Sequence, residues 1–268
     1  MKKMLLLFAG AVCALSACSS DKEIGVVAHR GYWNCEQGGY SHNSIASLKA
    51  ACEKGFWGTE FDVNMTSDEQ LLVYHDGKID GKVINFYPKA EFDTVRLKNG
   101  ETIPTLGEYL AVAVNYPKTK LVFELKPHET EALEDRAVAL SVEELKKYGL
   151  FTPERVMFIS FSLRECQLLA AAAPGFTVQY LDTDHSFEDL ETAGVNGIDT
   201  YYKSFLADEK WNTGARERGY SINVWTVNKE DKIRECIAKK VDMITTNEPE
   251  LVRSLIEETE GVKEAVIK

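Results

Sequence analysis

Four short runs hold the residues equipped for chemistry: Ala28-His29-Arg30-Gly31, Glu60-Phe61-Asp62, Tyr74-His75-Asp76 and Glu124-Leu125-Lys126. Each sits at or near the end of an apolar, β-branched run such as Ile24-Gly25-Val26-Val27 or Leu121-Val122-Phe123. Glu60 and Asp62, and again Glu124 and Lys126, are spaced i, i+2, which on a strand puts both side chains on one face. Gathering Glu60, Asp62 and Glu124 is costly without a cation: two unit charges about 4 Å apart repel by about 4 kcal/mol at an effective dielectric of about 20. A divalent ion turns that repulsion into binding, and an all-oxygen donor set favours Ca²⁺ or Mg²⁺ over zinc or copper. Any single pair here reads as a salt bridge to Arg30 or Lys126. The joint placement of two histidines, three carboxylates and two cations at strand ends instead suits metal-assisted phosphate chemistry.

The elements that must position these residues alternate almost to the end of the chain. Strands are expected at 24–29, 58–63, 71–75, 120–125, 155–161, 177–181, 197–201, 220–226 and 242–245. Helical patterns fill 44–54, 106–115, 131–148, 163–173, 187–193, 208–218, 229–239 and 248–257. Asn43 stands where the first helix needs a cap, and Gly55, Gly149 and Gly219 follow helical stretches as C-terminal caps do. Repeated strand-then-helix units imply parallel strands with crossover helices, and about eight of them imply an α/β fold closed as a (β/α)₈ TIM barrel. The run 71–75 and the loop to Pro104 form a short insertion after the second barrel strand. No GxGxxG follows the first strand, which argues against a dinucleotide-binding sheet. In a barrel the strand ends converge on one mouth, so His29, Glu60, Asp62, Glu124 and Lys126 come from three neighbouring strands and His75 returns beside them.

The 268 residues carry 31 Lys and Arg against 42 Asp and Glu, a formal charge of −11. An acidic surface argues against nucleic acid and against attraction to anionic headgroups. The chain opens with Lys2-Lys3 and an apolar stretch from Met4 to Ala17, too short for a membrane span. Residues 1–17 are expected to be a signal peptide; losing Lys2 and Lys3 takes the charge to −13. Leu15-Ser16-Ala17-Cys18 resembles the lipobox of bacterial lipoproteins. That resemblance implies lipidation at Cys18, a tether over 18–23, a barrel domain over 24–268, and anchoring in the bacterial cell envelope. Ser19 favours the outer membrane; an ordinary secretory signal is the alternative. Cys52, Cys166 and Cys236 lie in helical patterns and read as small buried hydrophobes. Export makes a Cys35–Cys52 bridge chemically possible.

The chain resembles the glycerophosphodiester phosphodiesterases. The match comprises His29-Arg30-Gly31, Asn43-Ser44 opening a helix that closes at Gly55, Glu60-x-Asp62, Thr66-x-Asp68 and Val73-x-His75-Asp76. It continues with Glu124-x-Lys126, Asn223-Val224-Trp225-Thr226-Val227 and Thr245-Thr246-Asn247. The resemblance implies a divalent metal on Glu60, Asp62 and Glu124, His29 and His75 as the acid/base pair, and Arg30 and Lys126 against the phosphate. It places Trp225 against the substrate, although core packing suits that residue equally. The implied reaction releases glycerol 3-phosphate and an alcohol, by attack of the neighbouring glycerol hydroxyl and opening of a cyclic phosphate. The physics agrees: fixed cations stabilise charge building on phosphate oxygens, and imidazoles with an ordinary pKa of about 6.5 exchange protons near neutrality. The expected partners are a small-molecule glycerophosphodiester and, through the lipid, a membrane; no protein partner is expected.

The chain departs from the family at His42, where a glutamate usually precedes the Asn-Ser pair. Glu36 is a nearby carboxylate, equally suited to a solvent-facing loop. The insertion is short and lacks the usual Thr/Gly-rich beginning, so these departures bear on substrate choice. His128 and His185, in polar loops, read as surface histidines. Asp76 orients His75 or caps its loop, Tyr201-Tyr202 packs or lines the pocket, and the acidic run 257–260 reads as a solvated helix end. A lysophospholipase D-type enzyme or a glycerol-phosphate-polymer diesterase would share the site. A non-catalytic envelope-bound barrel would lack a catalytic group. There is no HExxH and no GxSxG, which disfavours a zinc hydrolase or a serine esterase.

Overall fold

Apolar β-branched runs with an opposite-facing polar residue at every second position suit strands buried on both sides, and here they form a closed sheet. The computed structural model describes residues 23–267. The expected signal peptide, Cys18 and the tether through residue 22 lie outside the described residues. The parallel barrel strands are β1 (Gly25–Ala28), β2 (Gly58–Met65), β3 (Lys120–Leu125), β4 (Val156–Ser160), β5 (Val178–Tyr180), β6 (Gly197–Tyr201), β7 (Ser221–Trp225) and β8 (Met243–Thr246). Each pairs with the next, and β8 pairs with β1, closing the eight-stranded barrel.

The crossovers carry α1 (Ile45–Glu53), α2 (Leu106–Ala113), α3 (Glu131–Lys147), α4 (Leu163–Ala172), α5 (Phe187–Thr192), α6 (Tyr202–Ala207), α7 (Lys210–Glu217), α8 (Glu230–Ala238) and α9 (Pro249–Ile267). Ser44, not Asn43, caps α1: its side chain accepts from Ser47 N–H while the Ser47 hydroxyl accepts from Ser44 N–H. Asn43 is withdrawn from capping because its amide is bonded to Asp62 at both ends. Gly55, Gly149 and Gly219 adopt φ values of 66–67°, as expected of helix ends. Helix α6 was not legible in the sequence. The acidic run 257–260 is solvated but lies within α9 rather than at its end.

The insertion begins with an antiparallel strand, Leu71–Val73, laid against the last residues of β2. That pairing extends β2 to Met65, and the insertion strand stops at Val73 rather than residue 75. A small hairpin follows (Lys78–Ile79 with Lys82–Val83), over a satellite core of Leu72, Ile79, Ile84, Phe92 and Ile103.

Strand alternation divides the main core in two. Val27, Val122, Met157, Ile159 and Met243 pack inside the barrel. Phe61, Phe123 and Phe158 point outward to the helices, with ring centroids 5.1 and 5.7 Å apart, and Tyr109 of α2 stacks on Phe61 at 4.6 Å. Because Phe61 and Phe123 point out, their neighbours Glu60, Asp62, Val122 and Glu124 must point in. The aromatic ladder thus anchors the strands that carry the carboxylates. Phe123→Ala is expected to lower stability by about 3–5 kcal/mol through lost burial and a residual cavity. Denaturant unfolding should show a lower midpoint with an unchanged m-value.

Candidate active site

In the β2–β3 register Asp62 lies directly opposite Glu124, and Glu60 opposite Val122. The three inward carboxylates offer oxygens that all lie within 4.8 Å of one another, at exposures of 2, 0 and 7% for Glu60, Asp62 and Glu124. Two cations offset part of this charge. Lys126 Nζ lies 2.5 Å from Glu124 Oε1 and 3.4 Å from Asp62 Oδ1, and Arg30 Nε lies 3.5 Å from Asp62 Oδ2.

Burial alone would raise the Asp62 carboxyl, but Lys126, His75, Arg30 and Asn43 outweigh it and hold Asp62 below the ordinary carboxylate value. For Glu60, burial and the neighbouring Asp62 and Glu124 win, and its proton affinity is raised well above normal. Burial and then Asp62 push Glu124 up to about 7. Glu60 Oε1 is buried with no hydrogen-bond partner. An orphaned carboxylate oxygen within a hard, all-oxygen donor set fits a divalent cation at Glu60, Asp62 and Glu124.

The turn after β1 is built around the same cluster. Arg30 adopts a left-handed φ of 57°, which costs a non-glycine residue about 1–2 kcal/mol. That conformation aims Arg30 N–H at Glu60 Oε2 (2.7 Å) and Gly31 N–H at Glu60 O (3.0 Å). Gly31 follows with φ 78°, and a Cβ there would fall 2.3 Å from Ser47 Oγ, so no other residue fits.

Both candidate catalytic imidazoles are held in one tautomer. His29 Nδ1 lies 2.7 Å from Asn247 Oδ1, which also accepts from Trp33 Nε1 at 3.3 Å. An indole nitrogen only donates, so the atom between them is the amide oxygen and His29 carries its proton on Nδ1. Nε2 is left as the acceptor, 3.9 Å from Glu60 Oε2. Burial and then Arg30 lower His29 to about 3, so the ring is neutral. His75 Nδ1 donates to Asp76 Oδ1 at 2.6 Å, the orienting role expected of Asp76. Tyr74 N–H bonds to Asp62 O at 3.0 Å and returns His75 to the mouth. Burial lowers His75 below its ordinary value, with Lys126 and Arg30 adding to the effect and Asp62 opposing it.

His29, His75, Arg30, Glu60, Glu124 and Trp225 line a single inner cavity of about 210 Å³. Trp225 packs against Phe161 and Tyr201 and donates Nε1–H to Asp199 O, so it both packs and faces the cavity. Tyr201 and Tyr202 meet edge to face, with ring centroids 5.1 Å apart, and lie outside the cavity lining. Glu36 is exposed in its loop and joins neither site cavity. His42 lies edge-on to Trp33 and borders an outer cavity instead.

Three features differ from the sequence reading or were missed by it. His128 is buried, not a surface residue: Glu165 of α4 accepts from its Nδ1 at 2.8 Å and from Ser160 Oγ at 2.7 Å. This network ties the loop after Lys126 to α4. Asp199, the central residue of β6, carries no signal in the sequence reading beyond an acid inside an apolar strand. It is 1% exposed in the cavity wall with Oδ1 unpartnered, and burial and then Glu124 raise its proton affinity well above normal. Asn247 was noted only within a motif, and its effect on His29 depends on a contact across the barrel. Cys35 and Cys52 are free thiols, and Cys52, Cys166 and Cys236 are buried.

A model of the glycerophosphoryl diester phosphodiesterase family matches residues 29–251, and the chain belongs to that family. A solved glycerophosphodiester phosphodiesterase from Parabacteroides distasonis is 37% identical, with a TM-score of 0.84 over 89% of this chain and 99% of that one. A phosphodiesterase from Oleispira antarctica, solved with the product sn-glycerol-3-phosphate, is 28% identical, with a TM-score of 0.75 over 88% of this chain and 97% of that one. A glycerophosphodiester phosphodiesterase from Caldanaerobacter subterraneus is 26% identical over 252 residues, which is 86% of this chain and 97% of that protein.

Raising Glu124 from 4.5 to about 7 means that the folded protein binds this proton more tightly than the unfolded chain does. The linked stability is fully present below about pH 4.5 and is lost as pH rises through about 7. In chelator, Glu124→Gln should therefore gain on the wild type by ~2 kcal/mol between about pH 5 and pH 8. Excess Ca²⁺ or Mg²⁺ should reverse the trend, because only the wild type keeps a third anionic donor. Unfolding midpoints against pH, with and without the ion, check both.

Proposed function

We propose that this chain hydrolyses glycerophosphodiesters to sn-glycerol 3-phosphate and an alcohol, with His29 and His75 as the proton-transfer pair. The observation that carries this is the pair of tautomerically fixed imidazoles facing one cavity beside the carboxylate triad. The Oleispira antarctica relative, solved with sn-glycerol-3-phosphate, supports the product class. A Ca²⁺ or Mg²⁺ ion on Glu60, Asp62 and Glu124 would supply charge stabilisation to the phosphate oxygens and acidify a nearby hydroxyl.

His29 Nε2 takes the proton of the glycerol hydroxyl next to the phosphate, while Asn247 holds Nδ1–H and keeps the ring in register. The hydroxyl oxygen attacks phosphorus, the P–O bond to the alcohol breaks, and His75 Nε2–H protonates the departing oxygen. Water then opens the cyclic phosphate, with the same two rings exchanging roles. Arg30 and Lys126 neutralise charge gathering on the non-bridging oxygens. A bound phosphodiester anion offsets the cations that depress His75 and restores its affinity for the proton it must donate. Trp225, Phe161 and Leu181 give the inner cavity an apolar wall against the glycerol carbons.

Charged groups at the mouth favour deacylated substrates over lysolipids: the outer cavity beside His75 sets Arg96, Lys98, Ser41 and Asp76 among Trp33, Tyr40, Tyr74, Val95 and Leu97, so an acyl chain there would have to lie against exposed charge. The proposal includes export and lipid attachment at Cys18, on the strength of Leu15-Ser16-Ala17-Cys18. Among the described residues no helix is long and apolar enough to cross a membrane.

His29→Ala and His75→Ala should each lower turnover of glycerophosphocholine by about 10²–10⁴-fold while unfolding normally. Near-wild-type turnover in either variant would overturn the pairing. Chelation should abolish activity, and re-supply with Ca²⁺, Mg²⁺ or Mn²⁺ should identify the working ion. Mass spectrometry of the membrane-extracted protein should find acyl chains on Cys18.

A further inference from the structure

A second cavity of about 490 Å³ opens beside the catalytic one, and Arg30 and His75 line both. Since His75 protonates the departing oxygen and His29 borders only the inner cavity, the outer cavity is where the leaving alcohol extends. Its wall carries three cations, Arg30, Arg96 and Lys98, against one carboxylate, Asp76, which is already engaged by His75. His42 adds no charge near neutrality, because burial and then Arg30 and His75 lower it to about 4.

Arg96 and Lys98 are the unusual members. Neither has a carboxylate partner among the described residues, in a chain of net charge −11. Arg96 Nη1 donates to the carbonyls of Asp93 and Val95, which orients the guanidinium and leaves its other donors for a ligand. The turn presenting both is itself ordered. Arg96 bridges Thr102, Leu97 N–H bonds to Glu101 O at 2.8 Å and Gly100 N–H to Leu97 O at 2.9 Å.

Aromatic side chains at the same mouth raise the opposite possibility, a cage for a quaternary ammonium group. Two of its three aromatic rings are already engaged. Lys98 Nζ lies 5.8 Å over the Tyr40 ring, and the His42 ring sits 4.1 Å from Trp33. Three fixed positive charges would also repel such a headgroup.

We infer that the outer cavity is a subsite for a second phosphate on the leaving alcohol, read by Arg96 and Lys98, so that the preferred diesters release a phosphorylated or phosphate-linked alcohol. This rests on the proposed diesterase activity and names the substrate class for that same site. Both cations are exposed, so the contribution is modest and salt-sensitive.

The test compares glycerophosphoinositol 4-phosphate with glycerophosphoinositol, which differ by one phosphate, and adds glycerophosphocholine as a cationic headgroup. A tri-glycerol diphosphate fragment tells a polymer source from a lipid headgroup. The wild type should favour the phosphorylated diester in kcat/KM by about tenfold, or ~1.4 kcal/mol, and this ratio should shrink towards one at about 0.5 M NaCl. Arg96→Gln/Lys98→Gln should reduce the same ratio towards one while retaining the wild-type unfolding midpoint. A wild-type ratio near one, or a ratio preserved in the double variant, overturns the inference and leaves the diesterase proposal standing. If no glycerophosphodiester is turned over, the diesterase proposal fails. The ratio of calorimetric affinities for the two inositol diesters then decides the subsite by the same criterion.

Discussion

Asp62 and Glu124 face each other across two adjacent parallel strands, with Glu60 on the same inward face. Like charges directly opposite one another destabilise a sheet, and burial removes the water that would screen them. The surroundings of the mouth follow from offsetting that repulsion. Lys126 is drawn onto Glu124 and Asp62, Arg30 onto Asp62, Asn43 gives up a helix cap to bond Asp62, and the strained turn at Arg30 brings a backbone N–H to Glu60. Even so, Glu60 and Glu124 keep raised proton affinities and one Glu60 oxygen stays orphaned. The residual imbalance is what a divalent ion on the three carboxylates would relieve.

The two cations are placed differently: Arg30 lines the inner cavity as well as facing Asp62, whereas Lys126 is engaged by Glu124 and Asp62 and lies outside the cavity lining. The imidazoles are oriented by dedicated partners, Asn247 for His29 and Asp76 for His75, while Arg30 still lowers the proton affinity of both. One partner is neutral and the other anionic. This asymmetry suits a ring that accepts a proton opposite one that must hold it until the alcohol departs. Rigid positioning comes from the helix layer, where the Phe61, Phe123 and Phe158 ladder and Tyr109 hold β2, β3 and β4 in register. The insertion has a separate small core and builds much of the outer cavity, and it is joined to the barrel through the pairing of Leu71–Val73 with β2.

The barrel and the triad were legible because both follow from short-range rules. Period-two alternation decides which side chains share a face, and i, i+2 spacing of Glu60 with Asp62 and of Glu124 with Lys126 carries through to the structure unchanged. Strand-then-helix repetition admits few topologies, and the right-handed crossover leaves one closed arrangement for eight units. Helix α6 and the hairpin of the insertion escaped notice because segments of two to six residues contain too little periodicity to read.

Order and spacing by themselves determined the α/β barrel and the shared inward face of Glu60, Asp62 and Glu124, while the family rested on the resemblance of the motifs. Glu60 and Asp62 lie within β2 rather than at its end, because pairing with the insertion strand carries β2 on to Met65. Tertiary structure alone decided which partners those residues have. His128 reads as a polar loop residue, yet it is buried by Glu165, 37 positions away; Asn247 reaches His29 across 218 positions. Asp199 is one acid inside a strand until the closed barrel places it in the cavity wall. The physical reason is that tautomer, proton affinity and orphaned polar atoms depend on desolvation and on groups brought close only by closure of the sheet. Neither quantity has a counterpart in local sequence.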